Sequence, residues 1–406
     1  MRRESLELFQ EQRYLEAYEA FFRSLRDAEE DNVRLAVYPE IQRLDFHIFQ
    51  GSKVVIGYAS PKEVVGEVRV VRAPELHVAL SRRLMELNHS LLYSCFSLNP
   101  DQVVCMRFST QSADGYPGKV YSGLREIAIS ADRQDDLLLH EFDSLEHLDD
   151  QHVERLPDTE KELKADFFRQ TLRQLLRDIE HWEAIDAGGA VSYQILGWAY
   201  KIDYLLTPEG PVLNQLEKIH QLYFDNKNLD SQTRNQRMRR ELDKLLALPY
   251  EQLLSNFYAT RATFGVARPL SSEAWREFST KYLATLNWCK SNQQADMGEV
   301  VLEFMAGYAC FNFGMPLFLR ALMHLLMRIF NEDFIAQLSS EEEALRLPDG
   351  KLNVPAVRQR LHIIHQNAQQ EGFSAVWDTE HLTQGSVEDF GRRLFEALQY
   401  GDWGLN

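Results

Sequence analysis

Long apolar runs are missing from this 406-residue sequence, and their absence argues against a membrane-spanning helix. The best candidate, Phe304 to Leu319, is uncharged but is broken by two glycines and a proline. It falls short of the ~20 apolar residues that a helix needs to cross a bilayer. We therefore predict two buried helical pieces joined by a turn in this stretch, and no membrane span.

Cysteine is also scarce, with four residues in the whole chain. Thiols spread so thinly are typical of a reducing compartment, where disulfides are rare. The basic start Met1-Arg2-Arg3 is followed by Glu4, Glu7 and Glu11, where a signal peptide requires an apolar run. The sequence therefore predicts a cytoplasmic protein.

Basic residues are outnumbered, 44 against 61 acidic ones, which gives a formal net charge of -17. Nucleic-acid binding depends on Lys and Arg to neutralise phosphates, and anionic lipid surfaces attract the same residues. The basic run from Arg234 to Lys244 is interleaved with Glu241 and Asp243, and no aromatic residue stands near it to stack on bases. The charge therefore predicts no nucleic-acid partner.

Known catalytic motifs are absent as well. The phosphate-binding patterns Gly-x-x-x-x-Gly-Lys and Gly-x-Gly-x-x-Gly do not occur, and neither does a Gly-x-Ser-x-Gly elbow. The Glu-x-x-His spacing of di-iron bundles occurs at Glu86–His89 and Glu217–His220, in different predicted domains. A cluster of His140, His147 and His152 is more typical of a solvated surface than of an ion site. The sequence predicts no catalytic residue, no metal site and no cofactor.

The first 150 residues combine helical and strand patterns. Leu44, Phe46 and Ile48 alternate with polar or aromatic neighbours, which is the two-residue period of a half-buried strand. Short connections such as Gly51-Ser52 favour antiparallel hairpins, with helices on one side of the sheet. The predicted strands are 34–38, 44–49, 54–58, 64–71, 93–97 and 103–108, and the predicted helices are 5–28, 74–91 and 119–148.

Two cysteines stand on the last predicted hairpin. If Ser97 pairs with Val103, then Cys95 and Cys105 lie directly opposite each other on one face. A redox pair is one interpretation, and two small buried apolar residues are the favoured one.

The helix and hairpin between residues 84 and 108 carry a family resemblance. A helix ending in Leu87-Asn88 leads into an apolar-polar strand, a turn that contains Pro100, and a second strand. In this order the segment resembles the YbjN-like and type III secretion chaperone-like proteins, which share one small α+β fold. The resemblance covers residues 30 to 150 and implies a protein-binding surface, often displayed by a homodimer. The segments that carry it are Leu84–Asn88, Leu91–Tyr93, Ser94–Leu98, Asn99–Asp101 and Val103–Phe108.

The rest of the chain predicts helices, separated by glycine and proline stops. The polar segment 149–159 marks the boundary. We assign residues 1–150 to an α+β domain of the chaperone-like type, 151–378 to an all-α domain, and 379–406 to a C-terminal helix and loose tail. Thirteen acidic residues against four basic ones between 132 and 166 predict a strongly negative junction.

These observations favour a non-enzymatic, chaperone-like or scaffolding protein that binds a protein or peptide, including a second copy of itself in a homodimer. The competing hypothesis is a metal-dependent enzyme or small-ligand sensor with its pocket in the helical domain, lined by aromatic side chains. Aromatic residues at helical spacing are also typical of a core. The candidate interaction or pocket residues are Leu44, Phe46, Ile48, Phe304, Tyr308, Phe311 and Phe313.

Overall fold

Two compact units make up the chain in the computed structural model, which describes residues 3–26, 31–148, 153–184, 188–224, 229–260, 268–339, 343–370 and 378–399. The first unit comprises Met1–Leu156, Glu209–Asn214 and Tyr258–Val266, and the second comprises Pro157–Pro208, Gln215–Phe257 and Ala267–Asn406. Two short later segments thus belong to the first unit, whereas the sequence assigned everything beyond residue 150 to the helical part.

The centre of the first unit is an antiparallel sheet with helices packed against it. Its six strands, counted among the described residues, are β1 (Val33–Tyr38), β2 (Arg43–Gln50), β3 (Lys53–Ala59), β4 (Glu63–Arg72), β5 (Ser94–Leu98) and β6 (Val103–Gln111). The order across the sheet is β1-β2-β3-β4-β6-β5, and all neighbouring pairs are antiparallel. Strands β1 and β5 are therefore the two edges. The helices are α1 (Arg3–Gln10), α2 (Tyr14–Leu25), α3 (Val78–Ser90) and α4 (Pro117–Glu141).

One face of the sheet is buried beneath α2, α3 and α4. The ring of Phe46 on β2 stacks on Phe22 of α2, with centroids 4.4 Å apart. Gly123 allows α4 to approach the sheet, because a Cβ at this position would come within 2.3 Å of the Phe108 ring. Polar residues such as His47 and Arg107 lie on the opposite face and are exposed. The antiparallel α+β layer predicted from the sequence is confirmed.

Three predicted helix boundaries differ from the structure. The first helix divides because Gln12 takes a left-handed conformation with φ of 63°. Helix α3 begins at Val78 and not at Pro74, since the Nδ1 atom of His77 accepts a hydrogen bond from the Leu80 N–H at 3.2 Å and caps the helix there. Helix α4 ends at Glu141, after which Glu146 exchanges backbone hydrogen bonds with Arg72 at the end of β4.

Helices dominate the second unit, as predicted. They are α5 (Asp158–Ala184), α6 (Gly188–Leu206), α7 (Gly210–Phe224), α8 (Ser231–Leu246), α9 (Tyr250–Ser255), α10 (Ser272–Ser291), α11 (Ala295–Asn312), α12 (Leu317–Phe330), α13 (Glu332–Leu338), α14 (Val354–Gln370), α15 (Thr379–Leu382) and α16 (Val387–Gln399), of which α7 begins in the first unit. The stretch 304–319 consists of the end of α11, a turn and the start of α12, which confirms the two predicted pieces. Within the described ranges, no helix has both the length and the apolar character that a membrane span requires.

The C-terminal helix α16 is packed into the second unit, although the sequence set residues 379–406 apart. Phe390 and Phe395 on α16 have no exposed surface. The indole Nε1 of Trp275 on α10 donates to the carbonyl oxygen of Leu398 at 3.0 Å, and the Trp275 and Phe395 rings stack at 5.9 Å. Residues 400–406, which include most of the predicted tail, lie outside the described residues.

Candidate interaction surface

The strand residues predicted to contact a partner lie in the core. Leu44, Phe46 and Ile48 are each 0% exposed and belong to the cluster buried between the sheet and its helices. They are unavailable to a partner while the unit is folded. Alternation correctly identified the strand, but it could not distinguish a face covered by the chain's own helices from a face offered to another protein.

The predicted aromatic residues of the helical part come together around α11. The ring centroid of Tyr308 lies 5.8 Å from that of Phe304 and 5.7 Å from that of Phe313, and Phe311 lies 5.2 Å from Tyr200 on α6. Phe304 has no exposed surface. These are ordinary separations for aromatic rings packed edge-to-face or tilted, so the four residues contribute to packing between helices.

One buried polar pair lies within this aromatic cluster. The Tyr200 hydroxyl is 2.7 Å from Nδ1 of His220 on α7, and Tyr200 is 2% exposed. Burial raises the pKa of Tyr200 well above its ordinary value, so the hydroxyl stays protonated and shares a hydrogen bond with Nδ1. The His220 ring also packs on Phe224 and Phe311 at 4.7 and 5.1 Å. The pair therefore fixes α6 against α7.

Metal-ligating side chains do not converge in the described part of the chain. There, no group of three or more His, Cys, Asp or Glu residues is arranged to hold an ion. The two Glu-x-x-His pairs lie on α3 and on the part of α7 that belongs to the second unit. His152, from the predicted histidine cluster, lies outside the described residues.

Exposed apolar side chains are concentrated on α3 and on the segment that follows it. Of the 17 large hydrophobic residues that are exposed in the described chain, six fall between residues 76 and 98. Val78 and Met85 are 67% and 63% exposed, and a spacing of seven residues puts them on the same side of a helix. Concentrated exposed apolar groups mark interaction sites, whereas scattered ones do not. We define the α3 surface as Leu76, Val78, Met85, Leu92, Tyr93 and Leu98.

Sequence reasoning missed this surface, although a signal was present. The predicted helix has a leucine stripe, formed by the leucines at 76, 80, 84, 87 and 91, and Leu80 and Leu84 of that stripe are indeed buried. Val78 and Met85 stand outside the stripe, on positions that a solvated helix fills with polar residues. Apolar residues at helix positions outside the buried stripe indicate that a second face of the helix is apolar and exposed.

The β5 edge beside α3 is closed by side chains. The Asn88 amide mimics a neighbouring strand: its Oδ1 accepts from the Phe96 N–H at 2.6 Å, and its Nδ2 donates to the Phe96 carbonyl at 3.1 Å. The Glu126 carboxylate accepts from the backbone N–H groups of Leu92 and Tyr93, both at 2.8 Å. Covering an edge in this way prevents the addition of another strand. A partner at the α3 surface therefore meets side chains and not a free backbone.

The predicted alignment of Cys95 with Cys105 is wrong by two residues. Cys95 pairs with Arg107, and Ser97 pairs with Cys105. The Asn99 N–H donates to the Val103 carbonyl at 2.9 Å, so only residues 100–102 form the turn, where five residues were predicted. Cys95 is exposed, whereas Cys105 is 1% exposed and both thiols are free. Burial raises the pKa of Cys105 to about 11. Cys105 is therefore a small buried residue.

This difference predicts the order of thiol modification. We expect iodoacetamide to alkylate Cys95 of the native protein before the other three cysteines, because burial raises the pKa values of Cys105, Cys289 and Cys310 and the thiolate is the reactive form. Mass spectrometry of tryptic peptides over a time course measures the order. Modification of Cys105 at the rate of Cys95 would contradict the burial of Cys105.

Two aspartates on α4, the half-buried Asp132 and the buried Asp135, hold the β2–β3 turn. The Asp132 carboxylate accepts from the Ser52 N–H at 2.7 Å. The Asp135 carboxylate lies 2.7 Å from Nζ of Lys53, and these two residues are only 3% and 5% exposed. Gly51 has φ of +52°, and a Cβ there would come within 2.1 Å of Asp132, so the turn requires glycine in order to approach α4.

The same stretch of α4 also holds the two later segments of the first unit. The Tyr258 hydroxyl donates to Asp136 at 2.7 Å, and Arg133 donates to the Asn214 side-chain oxygen at 2.6 Å. Beside Tyr258, the short strand β8 (Ala259–Thr260) pairs with β7 (Val153–Glu154). The sequence treated these aspartates as part of a negative junction. Their spacing of three and four residues, next to buried alanines, was the available signal for one inward helix face.

Removal from water raises the pKa values of these three carboxyl groups. The pKa of Asp132 rises to about 6 and that of Asp136 to about 7, because both are removed from water and both lie near the charge of Asp135. Burial also raises the pKa of Asp135, against the opposing effect of the Lys53 ammonium. Three carboxyl groups thus lie near the Lys53 ammonium. Their raised pKa values mean that some of them stay protonated near neutral pH, which lowers the repulsion between them.

The raised pKa values predict that the first unit loses stability as pH rises. A carboxyl group with a higher pKa in the folded state keeps its proton at pH values at which the same group in the unfolded chain has lost it. The free energy of unfolding therefore falls as pH rises from about 4 to about 7. We expect a loss on the order of 3–4 kcal/mol across this range from each of Asp132 and Asp136. Asp136→Asn should flatten the dependence, whereas Asp101→Asn, at an exposed turn, should leave it unchanged. Urea unfolding at a series of pH values measures both.

Comparison of the chain with protein-family models, with curated proteins and with solved structures finds no match.

Proposed function

We propose that this is a non-enzymatic, cytoplasmic protein-binding protein, chaperone-like or scaffolding in role, whose α3 surface receives an amphipathic helix of a partner protein. The observation that carries the proposal is the concentration of six exposed large hydrophobic residues between positions 76 and 98. Burying such side chains stabilises a complex by about 25 cal/mol for each Å² of apolar surface removed from water. The sequence resemblance to type III secretion chaperone-like proteins supports the same role.

The form of the partner follows from the closed β5 edge. Because Asn88 and Glu126 occupy backbone groups at this edge, a partner gains little by offering a strand. The exposed Val78–Met85 stripe runs along a helix, and the surface that packs best on a helical ridge is another helix. An amphipathic helix also presents apolar side chains at the matching seven-residue repeat.

A photo-crosslinking experiment tests this proposal. A photoreactive residue at Met85 should crosslink one discrete protein in extracts of the native cell, and adding Val78→Lys should abolish that product, because an ammonium on the stripe is costly to bury. The matched control carries the photoreactive residue at Ile363, which is 42% exposed on α14 of the second unit. Identical products from positions 85 and 363, or a product that survives Val78→Lys, would refute the α3 surface as the binding site.

A further inference from the structure

The opposite edge of the sheet, β1, is open. Among the described residues, β1 pairs only with β2. The Phe49 N–H donates to the Asn32 carbonyl at 2.9 Å, and hydrogen-bonded pairs alternate along an antiparallel ladder. The backbone N–H and C=O groups of Val33, Leu35 and Val37 therefore point away from β2, toward the outside of the sheet.

The β1 side chains lack the features that protect a natural edge. Edge strands are usually shielded by proline, by lysine, by an inward charge or by a covering element. The strand has no proline or glycine and a single charge, Arg34. That guanidinium is paired with Asp31 at 2.6 Å and lies 4.7 Å from the Phe49 ring centroid. The β1 edge thus differs from the β5 edge, where the Asn88 side chain hydrogen-bonds the backbone of Phe96.

The strand is nearly symmetric about Leu35. Val33 and Val37 stand two residues to either side on the helix-covered face, and Arg34 and Ala36 stand one residue to either side on the other face. In an antiparallel pair of two copies centred here, Leu35 meets its equivalent and Val33 meets Val37. Arg34 lies opposite Ala36, so no like charges are directly opposed. Leu35 and Val37 are half-buried in the single chain, and the pairing would cover them.

Charge also favours a second copy at this edge. Two chains of net charge -17 repel each other over most of their surfaces, so an interface between copies needs a segment without unpaired acids. Strand β1 contains no acidic residue, and the adjacent Asp31 is neutralised by Arg34. We propose that β1 is the interface of a two-fold symmetric dimer, in which β1 strands of two copies pair antiparallel about Leu35 and join the two sheets into one.

Light scattering on the full chain tests the dimer. We expect a mass of twice 47.2 kDa for the unmodified protein, falling to 47.2 kDa for Leu35→Lys, because the two ammonium groups would face each other across the two-fold axis. Ile56→Lys is the matched control, since Ile56 is 53% exposed on β3 inside the sheet, and this variant should remain a dimer.

Two further variants make the test independent of any folding defect in Leu35→Lys. Leu35→Pro leaves the β1–β2 hydrogen bonds in place, because the lost N–H points away from β2 at a position where edge strands tolerate proline, and should give a monomer. Leu35→Cys in a Cys95→Ser background should form an interchain disulfide on oxidation, because directly paired residues have Cα atoms about 5.5 Å apart. Ile56→Cys in the same background should not.

A protein that remains a monomer at every concentration would overturn the proposal. So would a dimer that persists in both Leu35→Lys and Leu35→Pro, because its contact would then lie away from β1. Neither result bears on the α3 surface, whose crosslinking is measured separately and on the opposite edge of the sheet.

Discussion

Lys53→Met is expected to lower the free energy of unfolding of the first unit by about 3–5 kcal/mol above pH ~7. Methionine keeps most of the side-chain volume, so the change removes the ammonium group and little packing. The Asp135 carboxylate, 2.7 Å from Nζ of Lys53, is then left buried without a positive partner. Lys53 lowers the pKa of Asp135, so its loss raises that pKa further. The destabilisation should therefore shrink as pH falls and Asp135 takes up a proton.

Urea unfolding of the variant at two pH values, one above neutrality and one near the acid limit of folding, measures this effect. Lys62→Met is the matched control, because Lys62 is exposed in the turn before β4 and surface substitutions of this kind change stability by less than about 0.5 kcal/mol. Adding Asp135→Asn to Lys53→Met should restore part of the loss. A loss of equal size at both pH values would show that packing, and not charge, accounts for the contribution of Lys53.

Phe395→Ala is expected to destabilise the second unit by about 3–5 kcal/mol. The Phe395 ring has no exposed surface and stacks on Trp275 with centroids 5.9 Å apart, so its removal leaves a cavity between α10 and α16. All six tryptophans of the chain, Trp275 among them, fall in the residue ranges of the second unit, so tryptophan emission follows the unfolding of this unit. Thermal or urea unfolding followed by tryptophan emission gives the change in stability.

Glu396→Gln is the neighbouring control. The Glu396 side chain is 42% exposed, and its partner Arg392 also pairs with Asp389, so the loss of the exposed carboxylate should cost about 0–1 kcal/mol. We expect this variant to unfold close to the unmodified protein. If Phe395→Ala were as stable as the unmodified protein, α16 would not be an integral helix of the second unit, and the prediction of a separate segment 379–406 would hold.

Most helices and strands of this fold were predictable from the sequence, but the residues at which they begin and end were not. The period of β2 identified a strand with Phe46 on its apolar side, and the breaks in 304–319 correctly predicted a turn between α11 and α12. The start of α3 was predicted too early, because Pro74 is typical of a first helical turn whereas the side chain of His77 caps the helix three residues later. The β5–β6 register was missed because Asn99 extends the ladder by pairing with Val103.

The candidate sites were less predictable than the elements. The predicted interaction residues Leu44, Phe46 and Ile48 are in the core, while Val78 and Met85 went unnoticed beside a stronger leucine stripe. Whether an apolar side chain is buried or offered to a partner depends on which elements cover it. That information is distributed over the whole chain, as the packing of α2 and α4 on one sheet face illustrates.

The sequence by itself determined the secondary structure, the antiparallel α+β character of the first part and the helical character of the second, because residue periodicity directly reflects the geometry of strands and helices. Only the tertiary structure decided that Asn88 covers one sheet edge while β1 has no further strand beside it among the described residues, and that Asp135 is buried with Asp132 and Asp136 half-buried beside it. Contacts such as Asp136 with Tyr258 join residues 122 positions apart. Local patterns do not encode such pairs, since they arise from the packing of elements that are distant along the chain.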